Sequence, residues 1–208
     1  MKTEKDYIND ISEIRSIMER STKFLSLTGW AGIMLGIYAL IGAYLAYNLS
    51  YTDNKEIIFF SVPNTEKSGT ENNLLLLAFG ILILSLSTAI YLSYEKSKKT
   101  GVSLWNATAR RLVINMAIPL ITGGIFILIL YSKSLFALIA PTSLIFYGFA
   151  LLNGSKFTFE EYKYLGIIEI ILGLIASYFL IYSLLFWTIG FGLMHIIYGI
   201  YMHLKYEK

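Results

Sequence analysis

The sequence contains no cysteine, only three prolines and few charged residues for its 208 positions. Without cysteine the chain can form no disulfide, no thiolate metal site and no cysteine nucleophile. Charged residues make up 15% of the chain and hydrophobic residues 56%, and the mean hydropathy is +0.61. These values lie outside the range of ordinary soluble proteins and are typical of membrane proteins.

Several chemical signatures are absent as well. The sequence has neither an H-E-x-x-H nor a G-x-S-x-G motif, which removes the commonest metalloprotease and hydrolase patterns. Its only histidines, His195 and His203, share one apolar run, whereas a haem held by two histidines needs them on facing helices. Metal sites built from oxygen ligands need several carboxylates, and the apolar spans contain one, Glu169. We therefore expect no metal or other cofactor, and we disfavour an enzyme.

What the chain has instead is a series of six apolar spans. About 20 apolar residues at 1.5 Å each are needed to cross a membrane as a helix. The stretch between Glu169 and Lys205 contains no charged residue and is too long for one crossing, so it must fold back near Tyr182 and Ser183. We predict an all-α polytopic membrane protein with six transmembrane helices, arranged as three antiparallel hairpins. The spans cover residues 24–47, 73–94, 112–131, 135–152, 164–182 and 184–204.

Outside the spans we predict one amphipathic helix and two notable loops. The segment 1–23 carries apolar residues at helical spacing, and its polar face balances acids against bases, unlike a helix built for anionic lipid. It is interpreted either as packing on the cytoplasmic face of the bundle, residues 24–208, or as contacting a partner. The outer loop covers residues 48–72, and a basic cytoplasmic loop covers residues 95–111. The apolar residues of the helix are Tyr7, Ile8, Ile11, Ile14 and Met18.

The distribution of positive charge predicts the orientation. Fourteen of the 17 Lys and Arg residues lie before the first span, in the second and fourth loops or in the tail. Lys and Arg accumulate on the cytoplasmic side of membrane proteins. We therefore expect both termini in the cytoplasm and the loop 48–72 outside.

Several stretches of the chain carry a family resemblance. They are LWNATARRLVINMAIPLITGGIF (104–126), LIFYGFALLNGSKFT (144–158), YLGIIEIILGLI (164–175), FWTIGFGLMHIIYGIYMHLKYE (186–207) and, near the N-terminus, ERSTKFLSLTGWAGI (19–33). Together they resemble an uncharacterised family of bacterial six-span inner-membrane proteins. The resemblance covers most of the chain except the outer loop. It implies a six-helix bundle in a bacterial inner membrane and brings no established activity, substrate or cofactor.

The candidate intramembrane polar site is centred on Glu169 and His195. If the last two spans form a hairpin, Glu169 lies level with residue 196, and small residues near both side chains allow another helix to approach. An ionised carboxylate is costly at that depth, so it must be neutral, paired or hydrated. We predict that Glu169 and His195 approach within direct or water-mediated hydrogen-bonding distance. The helix-packing glycines are Gly32, Gly36, Gly166, Gly173, Gly192 and Gly199.

Three further polar residues belong to this candidate site. Arg111 and Asn115 lie on one face of the third span with Pro119 and Thr122, and Tyr198 lies one turn beyond His195. The face of the third span indicates either a kinked, well-packed helix or a polar path from the cytoplasmic side. Asn115 is the next choice of partner for Glu169 if His195 is not the partner.

Two function classes remain open. The first is a non-catalytic membrane component that acts through protein or lipid contacts, with the lipid bilayer, a protein partner or a homo-oligomer as its partners and no nucleic acid. The second is a small proton-linked transporter or channel that uses Glu169 and His195. A water-filled cavity at Glu169 would favour transport, and a dry, packed core would favour the structural role.

Overall fold

The computed structural model describes residues 28–51, 69–101 and 103–207, and these ranges consist of helices and short connections, with no strand. The three C-terminal elements follow one another without a break, so Ser183 to Tyr206 form one helical rod, called here the last rod. It consists of α6, a seven-residue π-helix and α7. Single turns of 3-10 helix precede α4, α5 and α6. The elements are α1 Gly29–Tyr51, α2 Gly69–Thr100, α3 Ala107–Ser132, α4 Ile139–Gly154, α5 Glu161–Tyr178, α6 Ser183–Trp187, the π-helix Thr188–Met194 and α7 His195–Tyr206.

Five of these helical segments are long and apolar enough to cross a membrane. They are Gly29–Ser50, Asn72–Thr100, Ala107–Ser132, Phe136–Phe157 and Leu180–Tyr206. Helix α5 has 18 residues and includes three charged ones, Glu161, Lys163 and Glu169, so it lacks the long, nearly charge-free stretch that the five segments contain. The protein is thus all-helical in its described part, with five or six long apolar helices of the kind found in membrane proteins.

The segments between the predicted spans differ in how far the structure describes them. The predicted amphipathic helix at residues 1–23 lies outside the described residues, and so do residues 52–68 of the predicted outer loop. Helix α1 continues to Tyr51 and α2 begins at Gly69, so both helices extend into the segment predicted as loop. The predicted reversal at Tyr182 and Ser183 coincides with a helix break, since α5 ends at Tyr178 and α6 begins at Ser183.

The helices pack in a row rather than in a closed ring. Helix α1 lies between α2 and the last rod, and α4 lies among α3, α5 and α6. The most extensive packing joins α4 to α5, and α1 also packs extensively on α7. The consecutive helices α2 and α3 have little mutual contact. The last rod therefore lies at the centre of the row, between α1 and the α4–α5 pair.

Glycines allow the closest of these approaches. A Cβ at Gly36 of α1 would lie 2.6 Å from the carbonyl oxygen of Gly192, and a Cβ at Gly32 would lie 3.1 Å from Cα of Gly199. The distance at Gly36 is shorter than real Cβ contacts allow, and the one at Gly32 is tighter than most of them, so a larger residue at Gly36 would push α1 away from the last rod. The predicted glycine faces of the first and last spans therefore meet each other.

Glycines also allow α4 and α5 to pack closely. A Cβ at Gly166 would lie 2.7 Å from the carbonyl oxygen of Gly148, and one at Gly173 would lie 2.9 Å from the carbonyl oxygen of Pro141. Close backbone approach of this kind increases van der Waals contact, which is the main attraction between helices in a lipid environment.

The two ends of the bundle differ in charge. One end, called the Glu207 end, contains the start of α1, the loop between α2 and α3, the connection from α4 to α5 and the C-terminus. Lys96 of α2 contacts Glu207 there, and Phe157 packs against Ala109 and Leu112 of α3. At the opposite end Tyr131 of α3 donates a hydrogen bond to Asn72 of α2. Among the Lys and Arg residues in the described ranges, only Lys133 lies at that opposite end.

Candidate functional site

Among the described residues, the carboxyl group in the interior of the bundle belongs to Glu169 on α5. Its side chain is 0% exposed, and His195 of the last rod, 4% exposed, lies beside it. Leu144 of α4, also 0% exposed, and Gly190 of the π-helix lie close to it. Because the exposure is zero, no space large enough for a water molecule adjoins this carboxyl group.

Glu169 and His195 are brought together as the hairpin argument predicts. Oε1 of Glu169 lies 3.5 Å from Nδ1 of His195. The contact does not have hydrogen-bond geometry, and within the described part of the chain neither carboxyl oxygen has a hydrogen-bond partner. The glycine at position 190 provides the space, since a Cβ there would lie only 2.5 Å from Oε2 of Glu169.

The ring nitrogens of His195 have separate partners. Nδ1 lies 3.1 Å from the carbonyl oxygen of Gly190, and Nε2 lies 2.8 Å from the hydroxyl oxygen of Tyr147. A carbonyl oxygen can only accept a hydrogen bond. Nδ1 therefore carries a proton and donates a hydrogen bond to the carbonyl oxygen of Gly190. In the neutral ring Nε2 then accepts the hydroxyl proton of Tyr147. One donor and one acceptor are what a neutral imidazole supplies, so these contacts are complementary to uncharged His195.

The surroundings of Glu169 favour the uncharged acid in this conformation. A buried carboxylate is tolerated when donors or cations surround it, and here neutral His195 offers one nitrogen, already bonded to Gly190. The backbone of Gly190 and apolar Leu144 also lie close to the carboxyl group. In this conformation the carboxyl group of Glu169 is therefore protonated and enclosed in a dry site.

A π-helix positions His195. The seven residues Thr188–Met194, directly before His195, adopt this rare helix type. π-Helices occur mostly as short bulges and are frequent at functional sites. Gly190, inside this segment, supplies both the carbonyl group that binds His195 and the space that accommodates Glu169. The sequence analysis did not predict this element, and two glycines in an aromatic run are too common to have indicated it.

A row of aromatic side chains runs along the last rod and ends at His195. Trp187, Phe191 and His195 follow at intervals of four residues, with ring centroids 5.0 Å and 5.8 Å apart. The Tyr147 ring packs on Phe191 at 4.9 Å, and the Trp187 indole donates to Ser143 Oγ at 3.1 Å. The spacing of 187, 191 and 195 is visible in the sequence. Tyr147 is one of 16 tyrosines, and nothing in the sequence distinguishes it.

The other three residues of the predicted polar site do not bond to Glu169. Arg111 is exposed, and its carbonyl oxygen accepts a hydrogen bond from Asn115 Nδ2 at 2.8 Å on the same helix. Thr122 likewise donates to its own helix, at the carbonyl oxygen of Ile118. Tyr198 is half-buried one turn beyond His195. The polar row of α3 is thus satisfied within α3 and makes no hydrogen bond across the bundle to the buried carboxyl group.

A second Glu–His contact, missed by the sequence analysis, lies at the Glu207 end. Glu207 Oε1 accepts from the backbone N–H of Gly29 and from Lys96 Nζ, both at 3.1 Å, and Oε2 lies 2.8 Å from His203 Nδ1. Trp30 packs edge-on against the His203 ring. We call these contacts of Glu207 with Gly29, Lys96 and His203 the Glu207 clamp, since they join the ends of α1, α2 and α7.

The electrostatics of the clamp follow from its donors. Partial burial alone would raise the pKa of Glu207, but the hydrogen bonds from His203, Lys96 and Gly29 outweigh it and hold the pKa below its ordinary value of 4.5. Glu207 is therefore a stable carboxylate at neutral pH. Its role in the described structure is to tie three helix ends together.

Comparison of the chain with protein-family models, with curated proteins and with solved structures finds no match. Within the described residues no group of three or more His, Asp or Glu residues could hold a metal ion. Among the described residues, the titratable groups that meet at the centre of the bundle are the carboxyl group of Glu169, the imidazole of His195 and the phenol of Tyr147.

Proposed function

We propose that this chain is a six-span protein of a bacterial inner membrane in which Glu169 takes up and releases a proton, as part of a small proton-linked transporter or channel. One observation carries the proposal: the carboxyl group of Glu169 is fully buried and has no hydrogen-bond partner within the described residues. Leaving a buried polar group unsatisfied costs about 1–3 kcal/mol. Acids inside membrane spans are expensive and mark ion or proton pathways by default.

The neighbours of Glu169 provide a route for the proton. The relay starts after Glu169 has released its proton and the contact with His195 has closed to a hydrogen bond. Nδ1 of His195 then passes its proton to the Glu169 carboxylate, Nε2 takes the hydroxyl proton of Tyr147, and Tyr147 regains a proton from outside the site. The imidazole, now protonated at Nε2, must exchange this proton for one at Nδ1 before the next cycle. The two contacts involved measure 2.8 Å and 3.5 Å. Tyr147 is half-buried whereas Glu169 is fully buried, so the route leads from a half-buried side chain to an enclosed one.

By the criterion given in the sequence analysis, the dry core favours the structural role. We place the proton-linked role first because a carboxyl group without a hydrogen-bond partner among the described residues is costly in a permanent core. Proton release then requires a second conformation, because no water-sized space touches Glu169 in this one. The π-helix Thr188–Met194 is the element suited to that change. It already departs from regular helix geometry and contains Gly190, whose Cα and carbonyl group contact both titratable side chains. A return of this segment to α-helical bonding would move Gly190 relative to Glu169 and rotate α7.

The proposed orientation places both termini in the cytoplasm. Its support is the charge distribution, since the Glu207 end carries the described Lys and Arg residues except Lys133. The bacterial inner membrane is proposed from the family resemblance of the sequence. Labels within residues 48–72 that react from the cytoplasmic side would refute the orientation.

A second candidate is a non-catalytic membrane component that acts through protein or lipid contacts. It is favoured by the packing of the site, which is dry, and by the glycine contacts that bring α1 against the last rod. In this alternative protonated Glu169 is a permanent part of the core. A homo-oligomer or a protein partner would then provide the function through the surfaces of the bundle.

The deciding experiment replaces Glu169 by Gln and by Leu in the full chain, reconstituted in liposomes that contain a pH-sensitive dye. The proton-linked proposal predicts proton uptake by the unaltered protein under an inward gradient and its loss in a folded Glu169→Gln variant. The matched control, Glu160→Gln, changes an exposed acid at the Glu207 end and retains uptake. Equal uptake in Glu169→Gln and the unaltered protein contradicts the proposal. The non-catalytic alternative predicts that Gln is tolerated and that Leu destabilises the protein.

An infrared measurement supplies a readout that needs no transported substrate. The carbonyl stretching band of a protonated carboxyl group disappears when the proton leaves, and Glu169→Gln identifies its contribution. Under the proton-linked proposal this band titrates in the membrane-embedded protein. A band that persists at every pH at which the protein stays folded supports the non-catalytic alternative.

A further inference from the structure

The loop between α2 and α3 carries an uncompensated positive charge. Lys98 and Lys99 end α2, and Arg110 and Arg111 lie in the first two turns of α3. All four side chains are exposed, and within the described ranges none of them forms an ion pair. No Asp or Glu occurs anywhere between Glu95 and Glu160, so this stretch of the chain provides no counter-charge.

An open pocket of about 610 Å³ lies in this loop. Lys98 contributes a cation to its wall, and Ser97 and Ser103 contribute hydroxyl groups. Trp105 and Tyr94 form its aromatic side and are 66% and 54% exposed. A cation and exposed aromatic rings together suit a ligand that has an anionic head and an apolar body.

The surface next to the pocket is apolar along the helices. Ile90 and Tyr91 of α2 and Val113 and Ile114 of α3 are all about half exposed. Since α2 and α3 have little mutual contact, their apolar side chains near the loop are not covered by each other. Both helices are long and apolar enough to cross a membrane, so acyl chains can lie along this surface while a headgroup occupies the pocket.

We infer that the α2–α3 loop is a binding site for the headgroup of an anionic phospholipid, with Lys98 and Lys99 binding the phosphate and Trp105 lying at the membrane interface. Basic pockets beside membrane helices on the cytoplasmic side recognise such headgroups. A lipid is favoured over free phosphate because exposed aromatic and aliphatic side chains adjoin the cation. This inference is independent of Glu169 and holds under either proposed function.

The test titrates the full-length protein, in a neutral detergent, with phosphatidylglycerol and separately with phosphatidylcholine of the same acyl chains. Native mass spectrometry measures the bound fraction and the apparent Kd. We expect phosphatidylglycerol to bind at least ten-fold more tightly, and the double variant Lys98→Gln, Lys99→Gln to lose about five-fold per removed charge. Lys133→Gln, which removes an exposed cation at the opposite end, is the matched control and should leave binding unchanged.

Three results would overturn the inference: equal affinity for the two lipids, an unaltered Kd in the double variant, or an equal loss in the Lys133→Gln control. Glycerol phosphate, which has the charged head without acyl chains, separates the two anion sources. If it competes as effectively as the lipid, the loop binds free phosphate esters and the lipid site is wrong. An unchanged Tm of the lipid-free double variant shows that it is folded.

Discussion

The protein contains two Glu–His contacts that differ in almost every physical respect. At the Glu207 end, Glu207 and His203 lie 2.8 Å apart, and Lys96 and the N–H of Gly29 supply two more donors to the same carboxylate. In the centre of the bundle, Glu169 and His195 lie 3.5 Å apart, and the carboxyl group has no hydrogen bond from any described residue. The first carboxylate is stabilised in its charged form, and the second is not.

The difference arises from the positions of the two groups along their helices. The first N–H groups of a helix have no partner inside it, so Gly29 at the start of α1 can donate to Glu207. Glu169 lies in the middle of α5, where the backbone N–H groups are already bonded within helices. A carboxyl group at that depth depends on side chains alone, and the nearest one, His195, is bonded elsewhere. A helix end thus satisfies an acid that a helix interior leaves unsatisfied.

The largest expected effect comes from breaking the Glu207 clamp. Glu207→Ala leaves Lys96, His203 and the N–H of Gly29 without their shared acceptor. Because the site is partly exposed, water replaces some of the loss, and we expect about 3 kcal/mol of destabilisation. Unfolding in mixed micelles measures it. A loss below about 0.5 kcal/mol would show that the clamp is not a structural element.

The clamp also predicts the pH dependence of stability. Since the folded pKa of Glu207 lies below 4.5, the clamp contributes fully above that pH and is lost as the pH falls through the lower folded value. The Tm of the unaltered protein should therefore fall more steeply below about pH 4.5 than that of Glu207→Gln. Parallel Tm curves for the two proteins would contradict this assignment.

A second, somewhat smaller loss of stability is expected from a substitution at Gly190, next to the buried Glu169. The Cβ of Gly190→Ala would lie 2.5 Å from Oε2 of Glu169 and 2.6 Å from Cδ2 of Leu144. Both atoms are ends of flexible side chains, but the two residues are fully buried, which limits how far they can shift, so we expect a cost of about 2 kcal/mol. In the double variant with Glu169→Ala part of this cost should disappear, since the carboxyl group is gone. If the stability losses of the two single variants simply add in the double variant, Glu169 does not lie against Gly190.

Removal of the Tyr147 hydroxyl group should cost less. Tyr147→Phe keeps the ring contact with Phe191 but leaves Nε2 of His195 without its donor, which we expect to cost about 1.5 kcal/mol. Under the proton-linked proposal the same variant slows proton uptake in liposomes. Phe136→Leu, a change at a ring outside the site, controls for the general loss of aromatic packing.

The smallest effect on stability distinguishes the two Glu–His contacts most sharply. Glu169→Gln replaces an uncharged acid by an uncharged amide of the same shape, and we expect less than about 1 kcal/mol. Glu207→Gln removes a charge that three donors stabilise and should cost more in the same assay. If Glu169→Gln costs more stability than Glu207→Gln, Glu169 is ionised in the folded protein and its counter-charge is His195.

Some of the site could be read from the sequence because its determinants are local or periodic. A charge-free run too long for one crossing requires a reversal, and the reversal brings residue 169 level with residue 196. Glycines at helical spacing mark faces that approach closely, and Gly32 and Gly36 do meet the face of Gly192 and Gly199. The choice of Asn115 as an alternative partner of Glu169 has no support, because Asn115 is satisfied by the carbonyl oxygen one turn earlier on α3.

By itself the sequence determined the helical class, the long apolar helices and the approach of Glu169 to His195. Hydropathy and helical periodicity depend only on the order of residues, and these two properties are sufficient to predict all three features. Only the tertiary structure decided that Tyr147 binds His195, that Gly190 makes room for the acid, and that Glu207 joins the ends of α1, α2 and α7. These contacts join residues 21 to 178 positions apart, and which distant helices meet is set by close packing of the whole bundle rather than by any local pattern.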